Sequence, residues 1–172
     1  MKREFDLPIP YPDGRPSEQN RARAALLEPL YAGRNGEMTS VAQYCYQYLI
    51  TFETYPELAE MLEAIAVCDM RHMEMLGEII ASLGGDPLLR AADHRMRFLW
   101  WSGDMVRQTK DIKRFLTEDR EEKKGAVAEI NRRLRAIGDE YIRSVLSRII
   151  LDEEHHVELL DDALDLVESY GL

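Results

Sequence analysis

Two acid–histidine pairs are the residues of this sequence whose types and spacing best suit metal chemistry. Asp69 and His72 lie three residues apart in VCDMRHMEML, and Glu153 and His156 have the same spacing in RIILDEEHHVELL. In a helix, residues i and i+3 project from one face, so each pair can reach the same ion. Both pairs interrupt apolar stripes, where an uncompensated carboxylate would be costly. A shared pair of divalent cations would compensate them, since carboxylates bridge and imidazoles cap.

A simpler interpretation is that His72 and His156 are core histidines satisfied by acids across a helical bundle. Two pairs in equivalent places favour the metal interpretation. Glu37 adds to it, because it lies in register with the apolar positions Val41 and Tyr44. Glu37 could also be a first-turn acid that the helix dipole favours.

Four long helices are needed to position these residues. Apolar positions spaced by three and four predict helices that start at Glu37, at Pro56 and near Asp104, and a last one that ends near Tyr170. Gly84-Gly85 and the IGD break at 137–139 predict where the second and third helices end. The link between these two helices is long, whereas the other connections are short. This pattern predicts an all-α, ferritin-like up-and-down four-helix bundle with one long crossover.

The first 17 residues contain four prolines, so we expect an extended proline-rich arm at 1–17 and the bundle at 18–172. Ser17 is expected to cap a short helix over residues 21–31. The segment from 86 to about 103 is expected to be a partly helical crossover, and no alternating β pattern is found in the chain.

Composition restricts the partners. The formal net charge of −10 argues against nucleic acid or an anionic membrane as the main partner. No segment has the roughly 20 uninterrupted apolar residues of a membrane helix, and the N-terminus has no apolar leader-like run. Cys45 and Cys68 are interpreted as reduced thiols, with Cys68 a small core residue, so we expect a cytoplasmic protein.

Three segments, GEMTSVAQYCYQY, IAVCDMRHMEMLGEIIASLGGDP and LSRIILDEEHHVELL, resemble bacterial ferritin-like, rubrerythrin-related proteins and, more distantly, manganese catalases. The resemblance covers residues 20 to 170. It implies a dinuclear iron or manganese centre between the four helices. The ligands that it implies are Glu37, Asp69, His72, Glu153 and His156. It further implies that Asp152 hydrogen-bonds His72 from outside the ligand set.

The sequence departs from the family on the third helix, where a ligand Glu is expected. The apolar stripe of that helix, extended back by four residues, reaches Lys123. Glu122 is adjacent but lies about 100° around the helix, and Asp119 lies one turn earlier. An ammonium group has no lone pair for a metal, but it can pair with carboxylates.

Two interpretations of Lys123 compete. In the first, Lys123 extends into solvent, Glu122 or Asp119 replaces the missing ligand, and a metal centre survives, dinuclear or mononuclear. In the second, the ammonium bridges Glu37, Glu153 and Asp69, and the bundle holds no metal. Asp69 is one methylene shorter than the Glu expected there, which fits relaxed demands on ligation.

The functional expectation has two forms. The resemblance implies an iron- or manganese-dependent oxidoreductase that acts on peroxide or oxygen, with Glu37 and Glu153 bridging the ions. The alternative is a metal-free scaffold or interaction protein stabilised by ion pairs of Lys123. The chain has no rubredoxin-like CxxC pair, so its electron donor is not identified. Because family members often dimerise, we expect a homodimer.

Overall fold

Helices dominate the computed structural model, which describes residues 5, 7–92 and 97–169. Within these residues, the α-helices are α1 (Arg21–Ala32), α2 (Glu37–Thr51), α3 (Pro56–Ser82), α4 (Ile112–Ala136) and α5 (Glu140–Ser169). Helices α2 and α3 pack as one hairpin, α4 and α5 pack as the other, and α1 lies against α3. The predicted all-α bundle with one long crossover is therefore confirmed. The predicted end near Tyr170 lies outside the described residues.

Local capping explains where the helices begin. The side chain of Asn20 accepts a hydrogen bond from the Arg23 amide and caps α1. Pro56 occupies the first turn of α3, as predicted, because its missing N–H is not needed there. The prediction that Ser17 caps α1 is wrong: its backbone N–H and hydroxyl both donate to Asp139 Oδ2, at 2.8 and 2.7 Å. Ser17 instead anchors the arm to the start of α5.

The crossover differs from the prediction in two ways. It contains a short antiparallel pair of strands, β1 (Arg90–Ala92) and β2 (Phe98–Trp100), which the sequence pattern did not predict. Helix α4 begins at Ile112, not near Asp104, because Asp111 caps it by accepting from the Arg114 amide. The preceding segment is held to α2 by Gln43, whose amide group makes two hydrogen bonds with the Arg107 backbone, at 2.7 and 2.8 Å.

Two apolar clusters fill the bundle and leave a polar layer between them. The Leu146 cluster comprises, among others, Leu76, Ile79, Ile130, Leu146 and Ile149. The Leu62 cluster comprises, among others, Leu62, Ile65, Phe115, Leu116 and Leu160. Each of α3, α4 and α5 passes from one cluster to the other, and most of the buried charged residues on these helices lie on the turns between. No helix in the described part of the chain is both long and apolar enough to cross a membrane.

Candidate metal centre

The polar layer brings together the five residues that the sequence marked as ligands. Glu37 is on the first turn of α2, Asp69 and His72 are on α3, and Glu153 and His156 are on α5. All five are buried; Asp69 and His72 have no exposed surface. The imidazole rings of His72 and His156 face each other with centroids 6.4 Å apart. The i, i+3 spacing therefore places the two pairs on facing helices around a common centre.

Two carboxylate oxygens lie between the imidazoles. Asp69 Oδ1 is 3.8 Å from His72 Nδ1 and 3.6 Å from His156 Nδ1. Glu153 Oε1 is 3.6 Å from His72 Nδ1 and 3.7 Å from His156 Nδ1. Glu37 lies on the His72 side only, with Oε1 3.6 Å from His72 Nδ1. Asp69 and Glu153 are thus about equally far from the two histidines, whereas Glu37 lies close to His72 alone.

Lys123 occupies the inner face of α4, where the fourth carboxylate was expected. It is 3% exposed, and its Nζ donates to both oxygens of Asp69 at 2.7 Å and to Glu153 Oε1 at 3.0 Å. Burial alone would lower the pKa of Lys123, but the carboxylates of Asp69 and Glu153 hold it well above the ordinary value. The side chain is therefore a fixed cation inside the layer, and the interpretation in which it extends into solvent is wrong.

Neither proposed substitute for the missing ligand joins the cluster of Glu37, Asp69, His72 and Glu153. Glu122 pairs with Arg107 at the surface. Asp119 is buried at 1% exposure, but it contacts the Arg107 guanidinium at 3.3 Å. Burial raises the pKa of Asp119 to about 7, against the lowering effects of Gln47 and Arg107. Both carboxylates thus pair with Arg107, which precedes α4, and not with the residues of the ligand cluster.

The two histidines differ in electrostatic environment. Burial, together with the Lys123 ammonium, lowers the pKa of His156 to about 4. Burial also acts to lower the pKa of His72, but Glu37 and Asp152 outweigh it and raise this pKa well above the ordinary value. The potential is therefore negative on the His72 side and less favourable for a cation beside Lys123 and His156.

A hydrogen-bond network fixes His72 from behind. Asp152 Oδ2 is 2.9 Å from His72 Nε2, where the family resemblance placed this contact, and Arg148 binds Asp152 Oδ1 at 2.6 Å. Burial would raise the pKa of Asp152, but its hydrogen bonds to His72, Arg148 and Tyr11 hold it well below the ordinary value. An ionised carboxylate only accepts hydrogen bonds, so His72 Nε2 carries the proton and Nδ1 faces the layer.

Sequence reasoning missed three members of this network. The Tyr11 hydroxyl donates to Asp152 Oδ2 at 2.7 Å, from a residue 141 positions away, so no local pattern could reveal it. Arg148 had a usable signal, because it lies one turn before Asp152 in an apolar stretch. Cys68, predicted to be a small core residue, is buried and its Sγ lies 3.5 Å from His72 Nε2.

The residues fit one divalent ion better than two. Ligand atoms of Glu37, Asp69, His72 and Glu153 all lie within 4.8 Å of one another, close to the roughly 4.2 Å that separates opposite ligands around an ion with ~2.1 Å bonds. The Nδ1 atoms of both histidines are buried without a hydrogen-bond partner, as expected of ligand atoms. On the His156 side, Lys123 stands where a second ion would need a carboxylate.

Comparisons with known proteins agree with this architecture. The sequence model of the rubrerythrin family matches residues 29–164. A bacterioferritin from Streptomyces coelicolor is 29% identical over 150 residues, which are 85% of this chain and 83% of that protein. A manganese catalase from Anabaena has the same fold, with a TM-score of 0.79 at 21% identity over 96% of this chain and 81% of that one. The bacterioferritin of Desulfovibrio desulfuricans, described with a diiron site, gives a TM-score of 0.73 at 25% identity over 88% and 86% of the two chains.

Proposed function

Because this chain belongs to the rubrerythrin family, we propose that its buried carboxylate–histidine layer binds iron or manganese and supports an oxidoreductase reaction with peroxide or oxygen. The observation that carries the proposal is the convergence of Glu37, Asp69, His72 and Glu153 around a common point. Bound iron or manganese would supply a one-electron redox couple there. The manganese catalase and the diiron bacterioferritin that resemble this chain support that choice of metals.

We propose further that the site takes a single ion, held by Glu37, Asp69, His72 and Glu153. With His72 neutral, as a metal ligand must be, three ionised carboxylates and the Lys123 ammonium leave two negative charges in the layer, which one divalent ion neutralises. A second cation beside His156 would be repelled by Lys123 and would meet one ligand fewer. Lys123 therefore acts as a permanent substitute for the second ion and orients the two shared carboxylates.

Access to the layer favours a small substrate. A cavity of about 10 Å³, enough for about one water, reaches Lys123 between α2 and α4, and Thr39, Gln43, Tyr44 and Asp119 line it. This size suits oxygen or hydrogen peroxide and excludes larger molecules unless lining residues such as Gln43 rearrange.

Metal analysis tests the proposal. The protein should be purified, stripped of metal by chelation, and equilibrated with manganese(II) or with iron(II) under anaerobic conditions. We expect about one ion per chain, followed by peroxide-dependent oxidation of the bound ion. A stoichiometry near zero with both metals would refute the proposal.

The Lys123 ion pairs also support a second candidate function, a metal-free scaffold or interaction protein. In that case Lys123 and a doubly protonated His72 would permanently offset two of the three carboxylate charges in the layer. The same metal analysis separates the two functions, because a scaffold would take up neither manganese nor iron at micromolar concentrations.

We propose that the protein is a cytoplasmic homodimer. The free thiols Cys45 and Cys68 suit a reducing compartment. Apolar side chains exposed on the α2–α3 hairpin, Leu49, Phe52, Val67 and Met70, offer surface for a second copy. Light scattering at micromolar concentration should give twice the mass of the chain; the mass of a monomer would refute this part of the proposal.

A further inference from the structure

The N-terminal arm reaches the back of a proposed metal ligand. The Tyr11 hydroxyl donates to Asp152 Oδ2 at 2.7 Å and lies 3.4 Å from His72 Nε2, which shares the same acceptor oxygen. The rings of Tyr11 and His72 meet edge to face, with centroids 6.1 Å apart. A residue far from the bundle in sequence therefore contacts the group that orients His72.

Arg148 joins the arm to the same carboxylate. Its guanidinium binds Asp152 Oδ1 at 2.6 Å, lies 4.5 Å from the centroid of the Tyr11 ring, and donates to the Ile9 carbonyl at 3.0 Å and the Leu7 carbonyl at 3.4 Å. Arg148 is only 5% exposed, so this geometry is enclosed and not a surface ion pair. The arm is thus linked to Asp152 twice: directly through the Tyr11 hydroxyl, and through Arg148, which binds Asp152 and contacts the main chain of the arm.

The same carboxylate fixes the atom with which His72 would bind metal. Asp152 accepts from His72 Nε2 and thereby leaves Nδ1, which lies 3.6 Å from Glu37 Oε1 and from Glu153 Oε1, as the ring nitrogen available to a metal ion. Partners of this kind set the orientation and basicity of a ligand histidine. Loss of the Tyr11 hydroxyl would leave Asp152 Oδ2 with one donor fewer and would free the arm at its point of closest approach.

We propose that Tyr11 is a positioning residue for the metal ligand His72, acting through Asp152, and that docking of the arm and metal binding are thermodynamically coupled. This inference rests on the proposed metal site. Coupling between two binding events is reciprocal. If the docked arm strengthens metal binding by a given factor, bound metal strengthens docking of the arm by the same factor. The arm is then a component of the metal site and not a passive extension of the bundle.

The test compares Tyr11→Phe with a matched control, Tyr141→Phe. Phenylalanine at position 11 keeps a ring beneath Arg148 and removes only the hydroxyl. Tyr141 also contacts the arm, at Gly14, but packs against the Leu146 cluster. We expect the dissociation constant for manganese(II) to rise roughly tenfold in Tyr11→Phe, since outer partners of ligand histidines contribute about 10- to 100-fold. Tyr141→Phe should bind as the parent does.

Amide hydrogen exchange of the segment 7–13, followed by mass spectrometry, gives the second measurement. Metal loading should slow this exchange in the parent, and Tyr11→Phe should accelerate it even without metal. In a double-mutant cycle with Asp152→Asn, the effects of the two substitutions on metal affinity should be non-additive, because both act through one contact. Additive effects would show that Tyr11 does not act on metal binding through Asp152.

Three results would overturn the inference. The first is unchanged manganese affinity in Tyr11→Phe, and the second is additivity with Asp152→Asn. The third is arm exchange that responds neither to the metal nor to the loss of the hydroxyl. Failure of the proposed function is recognised separately. If neither the parent nor Tyr141→Phe takes up metal, the metal site itself is refuted and the coupling with it. Exchange in the metal-free proteins then still decides whether the Tyr11 hydroxyl holds the arm.

Discussion

Lys123 Nζ lies 2.7 Å from both oxygens of Asp69, a residue whose side chain is fully buried. This contact places an ammonium–carboxylate pair at the centre of the bundle, on the face of α4 where the family resemblance implies a ligand carboxylate. A buried pair of this kind contributes little net stability compared with a well-packed apolar pair, but removal of one partner leaves an uncompensated charge.

Replacing Lys123 with methionine should destabilise the metal-free protein. The substitution leaves Asp69 and Glu153 without their cation, which costs about 3–5 kcal/mol of the free energy of unfolding. Urea denaturation with a chelator present measures the loss. The neighbouring Lys124 is half-exposed and pairs with Glu121 at the surface, so Lys124→Met should change stability by less than about 0.5 kcal/mol. Equal effects of the two substitutions would contradict the role of Lys123.

Replacing Lys123 with glutamate should change the metal stoichiometry. The substitution supplies the missing carboxylate on α4 and removes the repelling cation. We expect about two ions per chain where the parent binds one, measured by elemental analysis after equilibration with manganese(II) and gel filtration. An unchanged metal content in Lys123→Glu would show that Lys123 is not what limits the site.

Replacing Glu37 with glutamine should weaken metal binding strongly. Glu37 is the carboxylate that distinguishes the His72 side from the His156 side. Outer-sphere partners already contribute about 10- to 100-fold in affinity, so loss of a direct ligand should cost at least about 100-fold. Isothermal titration with manganese(II) measures it. Glu122→Gln is the matched control, because Glu122 pairs with Arg107 and should leave the affinity unchanged.

Metal affinity should increase with pH. The raised pKa of His72 means that its Nδ1 is protonated at neutral pH in the metal-free protein. A metal ion must displace that proton, so affinity rises by up to about tenfold per pH unit below this pKa and levels off above it. Titration calorimetry in buffers of different ionisation enthalpy should detect net release of protons on metal binding. Metal binding without proton release would contradict the assigned charge of His72.

The stability of the metal-free protein should depend on Asp119. Its pKa is raised to about 7 by burial in the folded state. Between the unfolded value near 4 and about 7, the folded protein binds a proton that the unfolded chain does not. The contribution of Asp119 to stability is therefore present at low pH and declines as pH rises through this window. Asp119→Asn should remove this decline. The free energy of unfolding of the variant minus that of the parent should therefore be larger at pH 8 than at pH 5, by on the order of a few kcal/mol. Parallel pH profiles from chemical denaturation would refute the prediction.

Periodicity made much of the layer predictable. Asp69, His72, Glu153 and His156 could be placed together because i, i+3 geometry on a helix is local and the flanking apolar stripes are regular. The inward position of Lys123 was found by extending the stripe of α4, although its partners were left open between two interpretations. Helical register thus predicts which face of its helix each polar residue occupies, but not which charged residues pair between helices.

What sequence reasoning missed depends on contacts between distant segments. Tyr11 reaches Asp152 from an arm without regular structure, and Arg107 diverts Glu122 and Asp119 from outside any helix. The start of α4 is hard to place from the sequence because the segment before it is polar and has no clear apolar period, so only the Asp111 cap marks where the helix begins. The β1–β2 pair was missed because three-residue strands are too short to show alternation.

The inward lysine also has a consequence for the history of the protein. Lysine codons become glutamate codons by a change of their first base alone, so a single point mutation at position 123 exchanges an ammonium for a carboxylate. On the single-ion proposal, one nucleotide would therefore separate a bundle with a built-in organic cation from one that recruits a second inorganic ion. Descendants of one gene could alternate between these forms without rebuilding either apolar cluster.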